Sequence, residues 1–450
     1  MAKTTKQISL NSLAIINEHT AGIDIGSMLM MVSYTDNQGK HFLMETDGFT
    51  KSLEELASTL QKAGVTHVAM EATGIYWMSL YEILENYGLE VTLINPRHFK
   101  NVDAQKTDVN DCQWIHQLHA HGMLRNSHIA PELYRELKSY MHERSVLQKQ
   151  KSDTLNRIHR ILSLMNIKVQ HLISDIEGVS GMKLIRAIAS GIEDPELLLA
   201  QIDVKKLKAN RGDLLKSLEG LYKVQFVRIL NNLLKAFDFF VEEMKSYELF
   251  IQDVLTKMLP SDEQGNRPTI KAKKSFVRKN QYSINLKEYL HHILGVDATK
   301  IDGLEEASIL EIISVTGKEM DKWPTAEHFT SWLNLSPRPK ISGGKILGHQ
   351  KRFTNNKATQ AFRLAAQTMW KHKGGLGNLY RRLAAQKGAK KAIKAVARRL
   401  AVIFYHILKN KTEYDASRFQ TNIEELRRKK IVRLNKEASK YGLTLQPLTS

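Results

Sequence analysis

Apolar residues fall into three regimes along the chain. Between about 17 and 125 they come in short runs: Ala21 to Ile25, Leu29 to Tyr34, His41 to Met44, Val65 to Met70 and Val91 to Ile94. Bounded by Asp36-Asn37-Gln38-Gly39 and by Asn95-Pro96, runs of that length predict strands, the second and third joined as a hairpin. An amphipathic helix is predicted from about Trp77 to Tyr87 and is stopped by Gly88. Strand, hairpin, strand, helix, strand is the order of a mixed sheet with helices packed on it, so this segment is read as α/β.

The middle of the chain changes period. From Phe226 the apolar positions continue through Leu230, Leu233, Phe237, Phe240, Met244, Tyr247, Ile251, Val254 and Met258. Steps that alternate four and three predict a coiled-coil helix. A second long helix, about Pro131 to Ile167, carries Leu155, Ile158, Leu162 and Met165 on the same spacing. Its middle, around Gln148 and Lys151, is more polar and is expected to face solvent or nucleic acid. The pattern allows an antiparallel pairing within one chain or a coil between chains. Residues 261–285 read as a linker, 286–410 as a helical domain and 411–450 as a basic tail. In the helical domain Ile393, Val396, Leu400, Ile403 and Ile407 line one helix face, with Lys390, Lys391, Lys394, Arg398 and Arg399 largely off it. Domain bounds of 17–125, 131–260, 261–285, 286–410 and 411–450 follow.

Charge adds a partner. The 450 residues carry a net charge of +19, and from Pro337 to Asn410 there are 18 Lys and Arg but no Asp or Glu. A domain-sized stretch without a carboxylate is the electrostatic footprint of a polyanion, most simply nucleic acid; the alternative is a solvated basic face. A single cysteine excludes a disulfide framework and any zinc site of several thiolates. With no secretory signal and no long apolar run, a cytoplasmic, nucleoid-associated protein is expected.

Four carboxylates stand at places suited to chemistry. Asp24 interrupts an apolar strand, Glu71 ends another, and Asp108 and Asp111 share one helix face at i, i+3. Together they would form a hard oxygen cage for Mg²⁺ or Mn²⁺, able to serve phosphodiester displacement. The plainer alternative makes Asp108 an N-cap and Asp111 a solvated first-turn residue. Asp24-Ile25-Gly26-Ser27 also resembles the phosphate loop of actin-like kinases, but the second such hairpin is missing. His116, His119 and His121 beside Cys112 read as helix-surface histidines.

In the second half, Ile301-Asp302-Gly303-Leu304 looks like the turn of a helix-hairpin-helix, with Glu305 where a second glycine is usual. Further on, Ser342 precedes Gly343-Gly344 among Arg338, Lys340 and Lys345. A serine hydroxyl needs activation from elsewhere in the fold to act as a nucleophile, so the residues alone favour a phosphate-binding turn. Lys351 and Arg352 extend the basic set.

These strings together resemble the insertion-sequence transposases of the DEDD family. The matching text is Gly22-Ile23-Asp24-Ile25-Gly26, Met70-Glu71-Ala72-Thr73-Gly74, Asn95-Pro96-Arg97, Lys106-Thr107-Asp108-Val109-Asn110-Asp111, Trp323-Pro324-Thr325, Trp332-Leu333-Asn334-Leu335 and Lys340-Ile341-Ser342-Gly343-Gly344-Lys345. The resemblance implies an RNase H/RuvC-like α/β N-terminal domain, an α-helical coiled-coil middle and a mostly α-helical C-terminal transposase domain. It implies that Asp24, Glu71, Asp108 and Asp111 bind Mg²⁺, and that Ser342, or failing it Ser336, attacks DNA in a site shared by both domains. It also implies a structured non-coding guide RNA, donor and target DNA, and a homo-oligomer. Alternatives are a metal-dependent nuclease or junction resolvase without a covalent intermediate, and a non-catalytic nucleic-acid-binding scaffold.

Overall fold

Alternation along one strand organises the N-terminal unit. In the computed structural model, which describes residues 14–72, 74–95, 108–262, 265–271, 280–337, 339–349, 356–416 and 423–444, strand β1 (Thr20–Ile25) turns Ala21, Ile23 and Ile25 into the core. Thr20, Gly22 and Asp24 take the other face, as the two-residue period requires. Strands β2 (Leu29–Thr35), β3 (His41–Asp47), β4 (His67–Glu71) and β5 (Glu90–Ile94) complete a five-stranded sheet of order β3-β2-β1-β4-β5. β1 pairs antiparallel with β2 and β2 with β3, whereas β1–β4 and β4–β5 are parallel. Every strand expected from the sequence is present, and the mixed topology is consistent with a RuvC-like fold.

Helix α1 (Thr50–Lys62) and helix α2 (Trp77–Asn86) cover the apolar face. Leu53, Leu56 and Leu60 of the first and Leu80 and Leu84 of the second are buried against Ile23, Val32 and Met70. Full burial of each such side chain stabilises by roughly 1.5–3 kcal/mol. Helix α1 was not anticipated, although Leu53, Leu56, Ala57 and Leu60 repeat at helical spacing. Helix α3 (Asp108–Ala120) packs on the opposite, polar face.

The chain divides between Ile129 and Ala130. In the second unit two long helices, α4 (Glu132–Leu164) and α8 (Val224–Lys257), run antiparallel within the chain. The rings of Tyr140 and Phe250 lie 5.5 Å apart, Arg144 meets Glu248, and Lys151 lies over Phe237, so position rises on one helix as it falls on the other. Leu230, Leu233, Phe237, Met244, Ile251 and Val254 of the heptad series are buried; Phe226, Phe240, Tyr247 and Met258 are half-buried. At one end of the pair α5 (Val179–Ala189), α6 (Pro195–Leu199) and α7 (Arg211–Leu218) close a core around Leu162 and Leu184. At the other end Leu137 and Ile251 join the core of the C-terminal helices.

Between these cores the inner side of the arm carries buried polar groups. Arg144 and Glu248 form a buried ion pair at 2.6 Å, and Lys151, 5 % exposed, binds Glu177 and the Asn280 side chain. The expected solvent or nucleic-acid partner of Lys151 is corrected accordingly. A segment within 261–285 supplies part of this packing: Tyr282 and Ile284 are buried, and Ser283 binds Glu248.

The C-terminal part holds α9 (Leu286–Leu294), α10 (Glu306–Thr316), α11 (Ala326–Trp332), the hairpin β6 (Pro339–Ser342) with β7 (Lys345–His349), α12 (Lys357–Thr368), α13 (Gly375–Lys387), α14 (Ala389–Asn410) and α15 (Ile423–Ser439). Along the α14 stripe Val396, Leu400, Ile403 and Ile407 are buried and Ile393 is half-buried. No helix among the described residues is long and apolar enough to cross a membrane.

Candidate active site

Helix α3 is seated on the β1 face that carries Asp24. Gly22 makes that seating close. A Cβ built there would lie 2.3 Å from the His116 backbone nitrogen and 2.6 Å from the Cys112 carbonyl, so only glycine lets the helix backbone approach β1. Ile115 packs on Ala69 and Ile94, while His116 hydrogen-bonds Ser33 at 3.0 Å and Thr35 at 3.1 Å. With His116 beside the N-terminal half of β1 and the end of β2, the helix runs against β1. Its first turn therefore points toward the C-terminal ends of β1 and β4.

Asp24 and Glu71 occupy those ends. The parallel register pairs Gly22 with Ala69 and Ile23 with Met70, so the next positions in step are Asp24 and Glu71. They lie on neighbouring strands about 4.8 Å apart, on the face covered by α3. Glu71 is 9 % exposed and Asp24 half-buried. Asp111 arrives from the helix. Burial first, then the charges of Asp24 and Asp111, push the Cys112 thiol up to about 11, so one thiol feels both carboxylates. Asp108 opens α3, with its side chain outside the described residues. Among the described residues no group of three or more His, Cys, Asp or Glu is placed so that it could hold a metal ion. Carboxylate oxygens such as those of Asp24, Glu71 and Asp111 suit a hard divalent cation in chemistry.

The histidines of α3 are not surface residues. His116 and His119 are 6 % and 5 % exposed. Burial, then the neighbouring His41 and His119, lowers His116 to about 4; burial, then His67, lowers His119 to about 4. At the far end of β1 from Asp24, a cavity of about 780 Å³ is lined by His19, His41, His116 and His121 with Thr35 and Asp36. Sequence reasoning missed this concentration because the six-residue span of β1 and the 13-residue α3 bring distant histidines to one edge.

Ser342 ends β6 at the tip of the hairpin, directly opposite Lys345, and is exposed. Gly343 and Gly344 have φ of 53° and 75°, and nothing lies within 4 Å of a Cβ at either. The pair is thus set by the two-residue turn, which needs both residues left-handed, and not by crowding. Lys340 is exposed on the same hairpin. Ser336, by contrast, is tied to Thr330 at 3.0 Å beyond the end of α11. Arg338, Lys351 and Arg352 lie outside the described residues, as do Thr73, Pro96, Arg97, Lys106 and Thr107.

The basic helix face is present as expected. Lys390, Lys391, Lys394 and Arg399 are exposed and Arg398 is half-buried on α14. Partial burial and the like charge of Arg363 on α12 hold the Lys394 ammonium below its ordinary value, which places positive charge from two helices together. Gly303, at φ 81°, turns the chain between α9 and α10, and its tight contact with Met369 and Ala365 holds this hairpin on α12.

A DEDD-type transposase profile matches residues 21–167, from β1 to just past the end of α4. The profile of the transposase IS116/IS110/IS902 family matches residues 298–381, from the α9–α10 turn into α13. The chain belongs to the insertion-sequence transposases of the DEDD type. No curated protein matches it. The first match spans Asp24, Glu71, Asp108 and Asp111, and the second spans Ser342. The transposase is accordingly an enzyme that cleaves and recombines DNA, and DEDD domains of this kind work with divalent metal ions.

Proposed function

We propose that this transposase breaks and rejoins DNA through a phosphoserine link, with Asp24, Glu71, Asp108 and Asp111 as its metal-binding quartet and Ser342 as its nucleophile. The observation that supports the reading is the seating of α3 on the β1 face that carries Asp24, where the charges of Asp24 and Asp111 both act on Cys112. Mg²⁺, or Mn²⁺ in its place, is the ion that a set of carboxylate oxygens selects. When bound it would neutralise charge on the scissile phosphate.

The chain's own residues do the rest. The Ser342 hydroxyl oxygen attacks a DNA phosphorus and gives its proton to water. The bond from phosphorus to the departing sugar oxygen breaks, and that oxygen takes up a proton. Lys345, across the hairpin from Ser342, and Lys340 supply positive charge to the phosphate. The basic residues of α14, with Arg338, Lys351 and Arg352, hold the duplex by its phosphates. The α4–α8 pair, read as a coiled-coil arm, serves assembly of a homo-oligomer and clamping of an element-encoded guide RNA.

Two measurements test the assignment separately. Titration of Mn²⁺ into the protein, followed by calorimetry, should give binding that Asp24→Asn weakens at least tenfold; equal binding by the variant contradicts the quartet. Incubation with DNA carrying the element junction should give metal-dependent strand cleavage. Cleavage with free ends in a Ser342→Ala variant would instead favour a metal-dependent nuclease in which water attacks.

A further inference from the structure

Trp370 is the most exposed of the five tryptophans, with 56 % of its surface in solvent, and it lies on a turn that is held rigidly. Met369 beside it is 2 % exposed and packs against Gly303 of the α9–α10 hairpin. Arg381 donates to the carbonyls of Trp370 at 3.1 Å and His372 at 2.7 Å, and to the Asn378 side chain at 2.6 Å. His372 in turn accepts from the Gly374 amide and lies 3.5 Å from Asp302. A Cβ at Gly377 would lie 1.9 Å from the His372 carbonyl, so α13 starts pressed against the same turn. An indole left in water on a backbone fixed from three sides is not a fraying side chain. It is a preorganised surface.

Its surroundings are cationic. The Lys371 ammonium lies 4.8 Å from the indole centroid, and Lys373, Arg381 and Arg382 are exposed nearby in the chain. The segment has no carboxylate from Pro337 to Asn410. An exposed aromatic ring among phosphate-neutralising cations is the combination that binds single-stranded nucleic acid, where each base offers a π-face. A duplex keeps its bases stacked on each other and offers that ring nothing. We propose that Trp370 is a stacking platform for an unpaired DNA base, with Lys371 and Lys373 neutralising the flanking phosphates. The proposal rests on the reading of the basic segment as a nucleic-acid surface, and it adds a preference for unpaired strands that no backbone contact supplies.

The test uses the full chain and fluorescence anisotropy with three labelled probes: oligodeoxythymidylate, a duplex of equal length and oligouridylate. Trp370→Ala should weaken binding of the deoxythymidylate strand roughly 5- to 150-fold, the range for loss of one base–aromatic stack. Duplex affinity should change less than twofold and the salt dependence of binding should stay the same, since no charge is removed. Trp370→Phe, which keeps a ring, should recover most of the loss. Equal losses on strand and duplex, or none on either, overturn the proposal; a loss confined to oligouridylate overturns the assignment to DNA. Failure of the unsubstituted protein to bind any probe would instead refute the underlying reading of the basic segment.

Discussion

Gly22→Ala should unseat α3, which carries Asp111, without touching a carboxylate. The added methyl would start 2.3 Å from the His116 nitrogen and 2.6 Å from the Cys112 carbonyl, and ordinary contact begins at 3.4 Å. Both obstructing atoms are backbone, so no flexible side chain can swing away. Either α3 retreats by about 1 Å along its length or β1 bends. Overpacking of this kind costs about 3 kcal/mol, the upper part of the usual range, because the whole helix must move. That is roughly a 100-fold change in the local folding equilibrium. Hydrogen exchange by mass spectrometry should therefore show faster exchange over 108–120 and β1, with the C-terminal helices unaffected. Gly212→Ala on α7, where only the Asn210 side chain approaches at 3.5 Å, serves as control and should stay within about 1 kcal/mol of the parent. Unchanged protection in α3 of the Gly22→Ala protein would refute the argument that close backbone contact seats the helix.

Other consequences follow from the same geometry. His116 and His119 are held neutral in the folded state at about 4, against about 6.5 unfolded. The unfolded chain therefore binds more protons below pH 6.5, and stability present above that value is lost as pH falls toward 4. The loss should be on the order of 1–2 kcal/mol per histidine between pH 7.5 and 5, seen in urea melts, and His116→Gln should flatten the dependence. Glu248→Ala strands Arg144 without its buried partner and should destabilise the arm by about 3–5 kcal/mol; a melt within 1 kcal/mol of the parent would contradict the ion pair. DNA affinity should fall on the order of 10³-fold between 50 and 200 mM salt if about six phosphates are neutralised, and a flat response would remove the basic segment from the interface.

Much of this fold is readable in the chain because its elements are locally determined. The β2–β3 hairpin follows from short apolar runs around Asp36 to Gly39, and the 3.5-residue repeat from Phe226 to Met258 announces a partner helix. Which partner it takes is not local. Pairing with α4 inside the chain depends on Leu162, Leu184 and Leu214 closing one end, contacts separated by dozens of residues. The buried Lys151 shows the same limit, since its partners Glu177 and Asn280 lie 26 and 129 residues away. Asp24 stood out because a carboxylate inside an apolar strand breaks the pattern. Gly22 carries no such mark, although its lack of a side chain is what admits α3. The paired glycines after Ser342, which suggest a phosphate-binding turn, are accounted for by the left-handed geometry of the two-residue hairpin turn alone.

The proposed reaction needs both the Ser342 hydroxyl and the four carboxylates, and a denaturing gel with peptide mapping tests that most directly. The protein is incubated with its junction DNA and a divalent ion, stopped with denaturant, digested and searched for a nucleotide-bearing peptide. The account predicts a covalent adduct on the peptide that contains Ser342, lost in Ser342→Ala and in Asp24→Asn alike. An adduct on any other residue, or undiminished rejoining by Ser342→Ala, would contradict it.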